Sequence, residues 1–181
     1  KSQFPKEDVV AYQHKEIISF SLNANPAPGE GKVKATVITQ ISLVPVKDWV
    51  KYEDGLFYNQ QIAIDNIKAA NSQGKEVAIQ KQCGSYSQED IFYDDTKICI
   101  VKFPLEEKGK AFTYSYKENY KDIKYLTSFY FNKGIPVVDE TIEFDVPSWM
   151  EIDLREFNFQ GSSIEKTTTK EKDFTKISFH L

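Results

Sequence analysis

Two histidines and two cysteines, His14, His180, Cys83 and Cys99, bound the nucleophilic and zinc chemistry open to these 181 residues. A cysteine nucleophile needs an imidazole within hydrogen-bond reach and a third group to orient that base. Cys83 stands in Cys83-Gly84-Ser85, inside the polar stretch Gln82 to Glu89, which reads as a loop. His14 and His180 lie near the two ends of the chain, which a sandwich fold can bring together. Nothing places Cys83 at a helix N-terminus, where its pKa would fall, so a structural or surface cysteine is the commoner reading. Cys99 sits in an apolar run and reads as a buried thiol. The pair could join in an exported protein and would stay reduced in the cytosol. Positions 14, 83, 99 and 180 lack the close paired spacing of zinc sites. Asp94-Asp95 and Glu89-Asp90 offer oxygen ligands for a hard cation, but solvated loop acids are the commoner outcome. Glu106-Glu107 and Asp139-Glu140 are carboxylate pairs of the kind glycoside hydrolysis needs, yet a chain with 27 acids holds many such pairs. No glycine-rich phosphate fingerprint occurs. No catalytic residue, metal or cofactor is assigned.

Aromatic residues carry the next signal. Tyr114, Tyr116, Tyr120, Tyr125, Phe129, Tyr130 and Phe131 fall close together. Aromatics on one strand face can line a carbohydrate platform or a protein interface. Equally, one face fills the core and the other makes cross-strand pairs. Tyr120 and Tyr125, around Lys121-Asp122, are expected to be exposed. With Trp49 they are the candidate binding residues.

The elements that must position these residues read as strands. Phe112, Tyr114 and Tyr116 alternate with Thr113, Ser115 and Lys117; Phe129 and Phe131 flank Tyr130; Val138, Ile142, Phe144 and Val146 alternate with acids and Thr141. Period two with aromatic and β-branched residues is the strand pattern. Lys108-Gly109-Lys110 and Asn132-Lys133-Gly134 separate the runs. Val33 to Val44 is a further strand, with Val33, Ala35, Val37, Thr39, Ile41 and Leu43 on one face. Val9 to Leu22 precedes it, across the exposed loop Asn23 to Lys32. Asp54-Gly55 reads as a turn. In Gln60 to Ala70, Ile62 and Ile64 alternate as in a strand while Ile64, Ile67 and Lys68 fit a short helix; it is read as a strand because Asn71 to Gly74 then forms a hairpin turn before Val77 and Ile79. Cys99, Val101 and Phe103 share a face. Met150, Ile152 and Leu154 alternate with Glu151, Asp153 and Arg155, and Ile164 to Leu181 reads as a final hairpin. About ten strands at turn spacings of roughly 8–12 residues predict an all-β fold, an antiparallel β-sandwich, in a single domain 1–181.

Composition excludes some functions. The net charge is −4 and Arg155 is the only arginine, so the basic surface that nucleic acid demands is missing. No run approaches the roughly 18 apolar residues of a transmembrane helix.

Several of these features together resemble a known family. Phe103-Pro104-Leu105 with Lys108-Gly109 leads to Tyr114-Ser115-Tyr116, then Phe129-Tyr130-Phe131, Ile135-Pro136-Val137 and a strand ending Val146-Pro147. Asp8-Val9-Val10 and the turn Asn71 to Gly74 agree. In this order, over roughly Asp8 to Phe159, the chain resembles the domain of unknown function that precedes transglutaminase-like domains in exported bacterial proteins of the Bacteroidetes type. The resemblance implies a β-sandwich without known catalysis, acting as an N-terminal accessory module in the periplasm or at the cell surface. Its partner would be a downstream transglutaminase-like, papain-like cysteine domain beyond Leu181, and any enzyme activity would belong there. Two other functions remain open: a stand-alone carbohydrate-binding module using Tyr120, Tyr125 or Trp49, with a protein or glycan ligand, and a cysteine hydrolase built on Cys83 with His14 or His180.

Overall fold

The computed structural model describes residues 7–86, 95–131 and 133–181. Ten strands form its regular structure: β1 Val9–Leu22, β2 Val33–Pro45, β3 Val50–Tyr58, β4 Ile62–Ala70, β5 Gln80–Ser85, β6 Lys97–Leu105, β7 Phe112–Tyr120, β8 Glu140–Pro147, β9 Glu165–Lys170 and β10 Phe174–His180. One 3-10 turn, Ile123–Tyr125, follows β7. Seven strands make one sheet in the order β4-β7-β2-β1-β8-β10-β9, and three make a second, β3-β6-β5. The chain is therefore the all-β sandwich that the alternation predicts. Its pairings are antiparallel except one: β8 runs parallel to β1, with His14 opposite Glu140 and Ile18 opposite Phe144.

Side-chain alternation builds the interior. In β2 the predicted inward residues Ala35, Val37, Thr39, Ile41 and Leu43 are buried and Val33 is half-buried. β1 carries a bulge between Ala11 and Gln13. The extra residue resets the alternation, so that His14, Ile18 and Phe20 are buried alongside the earlier Val9 and Ala11. The inner face then splits into two apolar clusters. In the first, Val9, Ala11, Leu43, Phe112 and Tyr114 of the large sheet meet Leu56, Val101, Phe103 and Leu105 of the small one. In the second, Ile18, Phe20, Val37, Ile142, Phe144 and Phe179 come from the large sheet alone. Among the described residues no strand covers this half. Its cover is the 3-10 turn and two irregular segments, through Leu126, Phe129, Phe131, Met150, Ile152 and Leu154.

Several local signals are overturned by longer-range pairing. Asp54-Gly55 is not a turn but the middle of β3, with Asp54 opposite Val101 and Gly55 opposite Ile100. A continuous nine-residue ladder outweighs the turn preference of two residues. Cys83-Gly84-Ser85 is not a loop but the end of β5, paired to β6. Phe129 to Phe131 and Met150 to Leu154 form no strand. Their alternation is real, since Phe129, Phe131, Ile152 and Leu154 pack on the second cluster, but no neighbouring ladder receives their backbones. Asn71–Gly74 makes its turn, with the Asn71 amide donating to the Lys75 carbonyl, but the expected return strand at Val77 and Ile79 goes no further than an isolated Ala70–Glu76 bridge, and Val138 stays exposed outside β8; the remaining expected runs form strands. Of the acids weighed as a cation site, Glu89, Asp90 and Asp94 lie outside the described residues. Among the described residues no group of three or more His, Cys, Asp or Glu is placed to hold a metal. No helix among them is long and apolar enough to cross a membrane.

Candidate functional site

The uncovered half of the large sheet carries a groove of about 780 Å³, within the range of ligand sites, roughly 300–1,000 Å³. β1, β8 and β10 supply Phe20, Ile142, Phe144 and Phe179; Ile123 of the 3-10 turn and the segments 126–131 and 150–159 supply the rest. The rings interlock edge to face, Phe129 on Phe144 at 5.4 Å and Phe159 on Phe179 at 5.8 Å between centroids. Tyr130 and Phe157 stand largely exposed on its border. The charged lining residues are Glu151, Asp153, Arg155 and Glu156.

Beside the groove, between the two apolar clusters, lies a row of buried polar groups. Strand register sets Tyr116 of β7 opposite Thr39 of β2, and Thr39 opposite Glu16 of β1. The parallel pairing sets His14 opposite Glu140. Lys133 reaches in from the connection between Phe131 and β8. Its Nζ donates to Glu16 Oε1 at 2.9 Å and lies 3.5 Å from Glu140 Oε1. His14 Nδ1 is also 3.5 Å from Glu140 Oε1, with no hydrogen bond between them. The Glu140 side chain is 1% exposed. Burial pushes its carboxyl up to about 7, against the pull of Lys133. Burial, with Glu16 nearby, pushes Glu118 up to about 7 as well. Burial and then Lys133 push the His14 imidazole down to about 4. The row therefore holds neutral His14 and the Lys133 ammonium beside two carboxyls, Glu140 and Glu118, that retain protons near neutrality.

The linkage has a defined sign. Between the ordinary carboxyl value of 4.5 and about 7, folded Glu140 keeps a proton that the unfolded chain has lost. Its term therefore lowers stability as pH rises through that window, by up to about 1.4 kcal/mol per pH unit. His14 acts oppositely between about 4 and 6.5, because the folded imidazole lacks a proton that the unfolded one carries. Glu140→Gln is expected to remove the first term. Urea unfolding at pH 5 and pH 6.5 should show the variant gaining on the parent as pH rises. Parallel pH profiles for the two proteins would refute the assignment.

The geometry frames what sequence comparison adds. The profile of a domain of unknown function with solved structures, DUF3857, matches residues 55–181. The chain belongs to the DUF3857 family. No curated protein matches it in sequence. In structure the DUF3857 domain is similar to a candidate protease of Parabacteroides distasonis, with 13% identity and a TM-score of 0.63, over 96% of this chain and 35% of that one. It also aligns with an M1 zinc metallopeptidase of Deinococcus radiodurans, at 8% identity and TM-score 0.44, over 97% of this chain and 39% of that one. A CBM3a-L domain of the Clostridium thermocellum cellulosome scaffoldin aligns at 13% identity and TM-score 0.27, over 59% of this chain and 71% of that domain. The first likeness shows a shared fold; the other two are too distant to carry an argument. The domain spans about a third of the candidate protease's length.

The three predicted binding residues of the DUF3857 domain are not brought together. Trp49 is 74% exposed in the β2–β3 connection, at a left-handed φ of 58°. That connection adjoins Leu43, opposite Phe112 at one end of β7, whereas Tyr120 ends β7 opposite Ala35. Eight steps along a strand separate the two ends by roughly 26 Å. Tyr120 is not exposed as expected: it is half-buried against the second cluster, and burial pushes its phenol upward. Tyr125 is half-buried too, with the Lys124 Nζ 5.0 Å from its ring centroid.

Cys83 is not a free thiol. It forms a disulfide with Cys99 directly across the β5–β6 ladder, so Cys99 is not the buried thiol expected either. His14 and His180 flank β8, opposite Glu140 and Thr141, on β1 and β10 rather than beside β5, with His14 buried and His180 exposed. Within the pair Asp139-Glu140, Asp139 is partly exposed and faces His180 at 3.3 Å, while Glu140 is buried. Glu106 and Glu107 are exposed. Lys133, Glu16 and Glu118 were missed. Glu118 had a readable signal, since it continues the inward series Phe112, Tyr114, Tyr116; Lys133 had none, because a turn lysine is ordinarily solvated.

Proposed function

We propose that the chain is a non-catalytic accessory domain, binding or scaffolding, that works beside a transglutaminase-like cysteine domain in a longer exported polypeptide. The observation that carries this reading is the fold likeness to about one third of a candidate protease over nearly all of this chain. The family match agrees with it. The Cys83–Cys99 disulfide supports an oxidising compartment such as the periplasm or cell surface, and it engages the only cysteines available as nucleophiles.

The test is direct. The purified chain, given casein and activated esters, is expected to show neither hydrolysis nor acyl transfer. Turnover that disappears in Cys83→Ala would overturn the reading in favour of a cysteine enzyme.

A further inference from the structure

The groove is bordered by backbone that has no partner. In residues 127–131 and 151–158 no N–H or C=O makes a backbone hydrogen bond among the described residues. Residues 128–131 and 151–155 nevertheless alternate as strands do, while Glu156 to Asn158 are all exposed and Asn158 takes a left-handed φ of 62°. Phe129 and Phe131 pack inward while Tyr130 faces out; Ile152 and Leu154 pack inward while Glu151, Asp153 and Arg155 are exposed. Unpaired, alternating backbone beside an apolar groove is what a sheet edge offers an added strand. The three carboxylates Glu151, Asp153 and Glu156 outnumber the one guanidinium, Arg155. Arg155 already lies near Asp153 at 3.9 Å, and Lys166 holds Glu156 at 2.6 Å. No ion pair engages Glu151 among the described residues.

We propose that the groove docks an extended peptide segment of a partner protein in which basic residues alternate with apolar ones, its backbone pairing with the free edge of residues 151–158. The apolar side chains descend onto Phe144, Phe179 and Leu154. The basic ones, pointing the other way along the same strand, meet Glu151 and Asp153 as cross-strand neighbours. This rests on the binding-domain reading and gives its partner a chemistry.

The 181-residue chain is titrated against fluorescein-labelled octapeptides in which Lys alternates with Leu, Phe or Val. Control sets carry Glu in place of Lys, or N-methyl groups on alternate amides; cellohexaose is the carbohydrate control. Saturable anisotropy change is expected with the lysine set, about tenfold weaker with either peptide control and with the exposed-site variant Glu151→Lys. Amide hydrogen exchange should slow in residues 127–131 and 151–158 on binding. Leu154→Arg, which fills the groove, should abolish the signal, and Glu151→Lys keeps the test open should that variant fail to fold. No binding by the lysine set, equal binding by the glutamate set, unchanged exchange in both segments, or binding of cellohexaose instead would overturn the proposal. A chain that is catalytically inert but blind to these peptides fails this proposal alone; one that binds them and also turns over esters through Cys83 fails the accessory reading alone.

Discussion

Phe103→Ala is expected to cost about 3–5 kcal/mol of stability, the usual range for deleting a buried phenylalanine ring. Phe103 is 2% exposed on β6, in the small sheet. Its ring lies 5.3 Å from Tyr52 and 5.4 Å from Tyr114, centroid to centroid. Tyr114 belongs to β7 of the large sheet, so this contact fastens one sheet to the other. The surrounding rings sit on two ladders that pin their backbones, and the cavity left by alanine therefore has little room to collapse. Phe103→Leu, which keeps most of the volume, should cost markedly less. Urea unfolding of both variants checks the claim. A loss below about 1 kcal/mol for the alanine variant would show that the sheets are held elsewhere.

Lys133→Met is expected to destabilise the domain by about 3 kcal/mol at pH 8, the low end of the range for removing one partner of a buried ion pair. The low end applies because the Lys133 side chain keeps 19% exposure. The ammonium is the one cation of the polar row, donating to Glu16 and approaching Glu140. Without it, Glu16 is left as a nearly buried carboxylate and Glu118 and Glu140 lose their nearest favourable charge. Glu118 and Glu140, already raised by burial, then hold their protons to still higher pH. The sign follows: the loss is largest where the acids must ionise and shrinks toward pH 5, where they enter the fold neutral. Adding Glu16→Gln should recover part of the loss at pH 8, since it removes the orphaned charge. Chemical denaturation at pH 5 and pH 8 for the single and double variants decides it. A pH-independent loss would mean that Lys133 contributes packing by its alkyl stem rather than charge.

The composite of strands was legible because alternation is a property of neighbouring residues. Val33 to Leu43 shows its inward face in the sequence and presents the same face to the core. The final hairpin and the Asn71–Gly74 turn are likewise written in a few adjacent residues. Where a reading needed knowledge of which strand lies next to which, it failed. Asp54-Gly55 has the composition of a turn, and only the ladder to β6 makes it strand. Tyr120 stands beside Lys121-Asp122, which suggests exposure, and only its packing on the second apolar cluster half-buries it. The glutamates of the polar row look like any of the 27 acids until β1 and β8 pair in parallel and Lys133 arrives from a connection 117 residues away from Glu16.

The sequence by itself determined that this chain folds as an all-β sandwich, which residues face inward along most strands, and a family resemblance that the DUF3857 match over residues 55–181 bears out. Tertiary structure alone decided that the small sheet covers half of the large one, that residues 128–131 and 151–155 alternate with no backbone partner among the described residues, and that a groove opens beside them. The reason is physical: period and turn chemistry are encoded within a few residues, while coverage, pairing and the neighbours of a buried charge depend on contacts across the whole chain.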